Sequence, residues 1–258
     1  KLPEERWRKT ITAMENRQTS QAIPQPISTE ELLTEEHPES IWGSVLFRGG
    51  LHLLSSDPGI GKTTLCYALG VSVAEGRTFL NEQLPQLKVG YFDLETAGTL
   101  RALKLRMLNY SGSETLLFFG EPCPVEMLKT LVRKYKLEVL IIDPVSLFFK
   151  LRKEEDNAEV NTSIVQPLKT LCRETGVTVI LVHHSSKGAK ERSKVYRSRG
   201  ASSLPAGCDS VVNLETTVEG GVLKLEVVKN RISGYAPTIY LEKEEGNFTV
   251  VEKPDSEH

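Results

Sequence analysis

The run Leu53-Leu54-Ser55-Ser56-Asp57-Pro58-Gly59-Ile60-Gly61-Lys62-Thr63-Thr64 joins an apolar stretch to a loop ending Gly-Lys-Thr-Thr, with helical spacing beyond it. That combination suits phosphate. Glycines let successive N–H groups curl around a β-phosphate, and the following helix adds the positive end of its dipole. Lys62 can reach the β- and γ-phosphates, and the Thr63 hydroxyl can coordinate Mg2+. The candidate nucleotide-binding residues are therefore Ser56, Asp57, Pro58, Gly59, Ile60, Gly61, Lys62, Thr63 and Thr64. In the GxxxxGK[ST] spacing of a Walker A loop, the first glycine position holds Ser56. A serine forced into a glycine-type backbone there is expected to cost about 1 kcal/mol.

Two acids complete the chemistry. Leu140-Ile141-Ile142-Asp143 is an apolar run ending in a carboxylate, eighty residues after Thr63. Beside a phosphate loop, such an acid can hold Mg2+ through its water shell, a Walker B aspartate. In Val89-Gly90-Tyr91-Phe92-Asp93-Leu94-Glu95-Thr96, strand alternation points Asp93 and Glu95 to one side. Glu95 stands at the strand's carboxyl end, where open α/β sheets bind ligands. It can polarise the water that attacks a γ-phosphate; the duller alternative is a helix cap.

The elements that must position these residues are legible. Apolar runs at Leu51–Leu54, Val89–Leu94, Leu116–Phe119, Val139–Ile142 and Val177–Val182 alternate with helical spacing at Thr64–Glu75, Leu100–Tyr110, Val125–Tyr135 and Ala158–Glu174. Near-continuously apolar strands alternating with helices predict a parallel sheet covered on both faces, an α/β fold. Pro124 suits a helix start, whereas Pro167 predicts a kink or break within its helix. Ser210–Leu214, Val222–Lys229, Thr238–Leu241 and Phe248–Val251 are closely spaced strands, which predicts an antiparallel extension on one sheet edge. Residues 1–40 read as an arm and linker, a short charged helix over Leu2–Arg17 and then a polar stretch broken by two prolines. The arm either packs on another subunit or is a disordered tail. Residues 41–258 read as the ATPase domain proper.

Composition narrows the class. A chain of 258 residues with 39% hydrophobic and 26% charged side chains is not mainly disordered and needs no disulfides to hold a core. A net charge of −2 excludes a wholly basic surface but leaves room for a local patch. No apolar run approaches the roughly 18 residues of a membrane helix, and Lys1 to Lys9 precede no apolar signal segment. Because residue 1 is lysine, the chain is expected to be a fragment or a processed form of a longer one. Cys66, Cys123, Cys172 and Cys208 lack CxxC spacing and read as reduced thiols of a cytoplasmic protein.

The order Gly-Ile-Gly-Lys-Thr, Tyr-Phe-Asp-Leu-Glu, Leu-Ile-Ile-Asp-Pro and Val-Ile-Leu-Val-His-His-Ser-Ser-Lys-Gly resembles the RecA-like ATPase core over roughly residues 40 to 245. Within that superfamily it is most similar to hexameric replicative helicases of the plasmid RepA and DnaB type. The resemblance implies a RecA-like P-loop core, ATP and Mg2+ as nucleotide and metal, and a homo-oligomeric ring, a hexamer in those helicases, on single-stranded DNA. It assigns water activation to Glu95 and a γ-phosphate sensor to His183 or His184, with His184 favoured. In Val227-Val228-Lys229-Asn230-Arg231 it implies that Lys229 and Arg231 reach a neighbouring subunit's nucleotide.

Ser185 to Arg199 carries Lys187, Lys190, Arg192, Lys194, Arg197 and Arg199 against Glu191 alone, a local charge of +5. Polar and nearly without apolar residues, it reads as a mobile loop, at the position where RecA-like proteins contact DNA. Its cations would bind sequence-independently and salt-sensitively, and Tyr196 offers one stacking ring. Val145 to Asn157, with Phe148, Phe149, Lys150, Arg152 and Lys153, is a second candidate loop. The same residues would serve a recombinase paralogue or clock-type regulatory ATPase whose ring binds protein partners. A small-molecule kinase fits less well, for no lid segment is evident.

Overall fold

The computed structural model describes residues 26–34, 37–149, 157–184, 203–217, 221–232 and 238–255. The chain divides into two compact units, Lys1–His37 and Pro38–His258. In the first, helix α1 (Thr29–Thr34) opens on a capping box. The Ser28 N–H donates to Glu31 Oε2 and the Glu31 N–H to Ser28 Oγ, both at 3.1 Å, so two orphan donors of the first turn are satisfied. The helix expected over Leu2–Arg17 lies outside the described residues.

The second unit runs β1 (Ser40–Trp42), β2 (Leu46–Phe47), β3 (Leu51–Ser56), α2 (Lys62–Glu75), β4 (Thr78–Phe79), β5 (Glu82–Gln83), β6 (Val89–Asp93) and α3 (Gly98–Met107). It continues with β7 (Leu116–Phe119), α4 (Val125–Tyr135), β8 (Val139–Asp143), α5 (Val145–Phe149), α6 (Asn157–Val160), α7 (Gln166–Thr175) and β9 (Thr178–His184). Last come α8 (Ser203–Gly207), β10 (Ser210–Thr216), β11 (Val222–Asn230), β12 (Ile239–Glu244) and β13 (Asn247–Val251). Nine strands form one sheet in the order β13-β12-β11-β10-β3-β9-β8-β6-β7. From β10 to β7 all pairings are parallel. From β10 to β13 they are antiparallel, the edge extension anticipated from the closely spaced strands.

Both faces of the parallel strands are covered, which is why β3, β6 and β8 are buried at every position. Alternation sorts their side chains into two cores. Tyr91, Ile141, Ile180 and Val182 join α2 on one face, and Phe92, Ile142, Leu181 and Val179 join α4 and α7 on the other. Helix α2 is buried along nearly its whole length, so it carries no polar stripe. Helix α4, by contrast, buries only Leu128 and Val132. Those two anchors contribute about 1.5–3 kcal/mol each, and packing rather than propensity holds a helix this short.

Pro167 breaks its helix in a specific way. The chain from Asn157 to Thr175 stays helical but passes through a π-helical turn at Asn161–Val165 just before α7. Pro167 has no N–H to offer Ser163 and its ring crowds that carbonyl, so the wider turn absorbs the mismatch.

His52, on β3, is wholly buried, its ring nitrogens 2.7 Å from Ser210 Oγ and 3.1 Å from the Phe47 carbonyl. Burial lowers its pKa from 6.5 to about 4, against raising effects of the Phe47 carbonyl and Asp209. The unfolded chain therefore binds a proton below pH 6.5 that the fold refuses. Stability is full above pH 6.5 and falls as pH drops toward 4, by up to about 3 kcal/mol. Thermal melts from pH 7 to 4 should lose this increment in His52→Asn; an unchanged slope in that variant rejects the assignment.

Among the described residues no helix is long and apolar enough to cross a membrane, and all four cysteines are unpaired.

Candidate nucleotide site

β3 ends at Ser56, and α2 begins at Lys62. The intervening loop needs its glycines for conformation. Gly59 and Gly61 have φ of 84° and 123°, where a side chain is strained, although a β-carbon on Gly59 would meet nothing within 4 Å. Ser56 corrects an expectation: it is the last extended residue of β3 and has no left-handed φ, so the strain of about 1 kcal/mol expected there does not arise. Its hydroxyl has a use instead. Lys62 Nζ donates to Ser56 Oγ at 2.9 Å, to the Ser56 carbonyl at 2.7 Å and to the Asp57 carbonyl at 3.0 Å. Burial pushes the Lys62 ammonium below the usual lysine range, opposed first by Asp143 and then by Asp57. No side chain caps the N-terminus of α2, so its first N–H groups remain for an anion. Asp57, Pro58 and Gly59 are exposed, and Ile60, Thr63 and Thr64 half-buried.

Strand order assembles the rest. β9 lies between β3 and β8, aligning Ser56 with His184 and Ser55 with His183. Asp93 aligns with Asp143 across β6 and β8. All these strands end at the same sheet edge.

Asp143 is 2% exposed. Its Oδ2 accepts from the Tyr91 hydroxyl at 2.9 Å, while Oδ1 is buried without a hydrogen-bond partner. Burial raises the carboxyl's pKa, and the Tyr91 and Thr63 hydroxyls pull it back down. A buried, unpartnered carboxylate oxygen beside a threonine hydroxyl fits a hard cation with oxygen ligands. Thr63 and Asp143 are thus the residues that would hold Mg2+.

His184 settles beside Glu95, with Nε2 3.6 Å from Glu95 Oε1 and the two side chains 34% and 46% exposed. Alternation explains the choice between the histidines. Ile180 and Val182 face α2, so His184 does too, while buried His183 faces away. His184 Nδ1 is buried without a partner.

Lys229 and Arg231 sit at the far end of β11. At Val211/Val212 the β10–β11 register shifts, pairing Val211 with Lys229 and Val212 with Val227. The bulge at Val228 turns Lys229 toward the turn after α8. Its ammonium donates to the carbonyls of Pro205 (2.9 Å), Ala206 (2.7 Å) and Cys208 (2.8 Å). Burial lowers its pKa, as does the neighbouring Arg231. Arg231 donates from Nη2 to the Ala206 carbonyl at 2.9 Å and has Nη1 3.7 Å from Asp209. Neither residue contacts the phosphate loop of its own chain.

Lys187, Lys190, Arg192, Lys194, Tyr196, Arg197 and Arg199 lie outside the described residues, between the end of β9 and the start of α8. Lys150, Arg152 and Lys153 lie outside them as well. The second candidate loop is corrected in part: Val145–Phe149 is helix α5, and Phe148 is a core residue, edge-on to Phe92 at 4.9 Å.

Residues 18–190 match the family model described as AAA domain. The chain belongs to the AAA domain family. It is 29% identical over 154 residues to the DNA repair protein RadA of Aquifex aeolicus, and 24% identical over 202 residues to RadA of Chlamydia pneumoniae. Those matches take in 59% and 78% of this chain but 32% and 40% of the relatives, so the chain spans well under half their length. Among solved structures it resembles the ATPase domain of a DnaB-like helicase, with a TM-score of 0.62, 16% identity, and coverage of 95% of this chain and 98% of that one. It also resembles a KaiC-like protein of Pyrococcus horikoshii, with a TM-score of 0.59, 16% identity, and coverage of 80% and 91%. The fold is that of the RecA-like P-loop ATPases.

Two features of this AAA domain carried no motif. The β12–β13 hairpin walls the phosphate loop: a β-carbon on Gly61 would stand 3.8 Å from Phe248 Cζ and 3.9 Å from Lys243 Nζ. Arg101, on α3, binds the turn that carries Glu95. An arginine on a polar helix face gives no signal of such a contact.

Proposed function

We propose that this chain is the ATPase core of an oligomeric motor that hydrolyses ATP on single-stranded DNA. The observation that carries it is the convergence, on the α2 face of one sheet edge, of Lys62, the unpartnered Asp143 Oδ1 and the Glu95–His184 pair. A triphosphate entering the loop would take over the donors Lys62 now spends on Ser56 and Asp57, beside the free N–H groups of α2. Glu95 takes a proton from the water that attacks the γ-phosphorus, and ADP and phosphate leave. His184, touching Glu95, reports whether the γ-phosphate is present. Mg2+ held by Thr63 and Asp143 would neutralise charge on the β- and γ-oxygens. Arg231, from the next subunit, would stabilise the charge developing on the transferred group.

The DNA half of the proposal draws on the relatives' name, a DNA repair protein, and on the +5 segment. That segment begins directly after His184, so a γ-phosphate sensor and a DNA contact would be neighbours in the chain. Turnover should rise with single-stranded DNA, and sedimentation with nucleotide should show an oligomer. Neutralising Lys187, Lys190, Arg192, Lys194, Arg197 and Arg199 should weaken DNA binding and flatten its salt dependence. Turnover indifferent to DNA, with DNA affinity unmoved by those changes, would instead favour a ring that acts on protein partners.

A further inference from the structure

We infer that Arg101 is a positioning residue for Glu95, an assignment that rests on the water-activating role proposed above. Glu95 is held weakly by its own side chain: nearly half exposed, its carboxylate meets only His184 among the described residues, at 3.6 Å. Its location is therefore set by the backbone of the turn from Asp93 to Thr96, which links β6 to α3. One nitrogen spans that turn. Arg101 Nη2 donates to the Asp93 carbonyl and to the Thr96 carbonyl, both at 3.0 Å, so a single group bridges the residues on either side of Glu95. Arg101 Nε lies 3.4 Å from Asp93 Oδ2.

The anchor beneath is rigid. Asp93 is buried; its Oδ1 accepts from the Thr96 N–H at 2.9 Å, and its Oδ2 accepts from the Tyr67 hydroxyl of α2. The guanidinium stands 5.7 Å from the centroid of the Phe118 ring, within range of a cation–π contact. The Leu94 N–H donates to the Asp143 carbonyl at 3.0 Å, so the turn is also tied to the strand of the metal-side acid. Without Arg101 the two carbonyls lose their bridge, and Glu95 gains freedom at the point where a misplacement of about 1 Å costs on the order of 10²-fold in rate.

The test is steady-state and single-turnover hydrolysis of ATP by Arg101→Met and Arg101→Lys, alone and combined with Glu95→Gln. Arg101→Met should lower kcat by about 10- to 100-fold while KM and the affinity for a non-hydrolysable ATP analogue stay near wild type. Arg101→Lys should recover most of the rate, because one ammonium can donate to both carbonyls. In the Glu95→Gln background, Arg101→Met should cost nothing further. Wild-type kcat in Arg101→Met, equal loss in the Lys and Met variants, or an undiminished loss on top of Glu95→Gln would each overturn the inference. Two failures are distinguishable: Glu95→Gln that hydrolyses normally removes the role of Glu95 itself, and with it this inference. An inactive Glu95→Gln beside a fully active Arg101→Met removes Arg101 alone.

Discussion

Arg231→Ala is expected to bind nucleotide as the parent does and to lose turnover by about 10³-fold or more, the range typical of arginine fingers. The expectation follows from where the side chain stands. Arg231 has no contact with its own phosphate loop; it is half exposed, and its present engagements are one carbonyl and an ion pair at 3.7 Å. An exposed pair at that distance is worth at most about 1 kcal/mol, so little holds the guanidinium against a neighbour's phosphate. Lys229 differs. It gives all three donors to backbone carbonyls and is partly buried, so moving it would leave three acceptors to be re-solvated. The geometry thus ranks Arg231 above Lys229 as the group able to act across a subunit boundary. Mixing supplies the decisive measurement. Arg231→Ala and Glu95→Gln subunits, each inactive alone, should regain turnover together, because some junctions pair an intact Glu95 with an intact Arg231. Wild-type rates in Arg231→Ala, or no recovery on mixing, would reject action in trans.

Glu95→Gln should retain ATP and hydrolyse it about 10²- to 10⁴-fold more slowly, the usual contribution of a general base. The substitution keeps size and removes only the ability to take a proton. Glu95 is nearly half exposed and makes no buried hydrogen bond, so stability should hardly change, and a melt at neutral pH provides the control. Retained ATP with unimpaired turnover would assign water activation elsewhere.

Much of this architecture was legible because it depends on short-range rules. β7 and α4 occupy the ranges expected for them, Leu116–Phe119 and Val125–Tyr135. Apolar strands buried on two sides cannot hide polar residues, so Ser56, Asp93 and Asp143 at strand ends stood out. What stayed hidden depends on contacts distant in sequence. Ser56 was expected to be strained because a motif was read without its strand register. Choosing His184 over His183 required knowing which face α2 covers. The bulge at Val228 redirects Lys229 with no residue to announce it, and Arg101 clasps a turn that no spacing rule connects to it. Phe148 looked like a loop aromatic until α5 carried it into the core.

The residues that match the family stop at 190, yet β3 is paired on one side by β10, through five register positions from Ser210↔His52 to Leu214↔Ser56. Cutting there would leave the strand that feeds the phosphate loop as a bare margin, open to pairing with any other chain. It would also strip away the hairpin beside Gly61. Heredity and mechanics thus draw this molecule's borders in different places, and the smallest piece able to stand alone must be chosen by hydrogen-bonding partners rather than by ancestry.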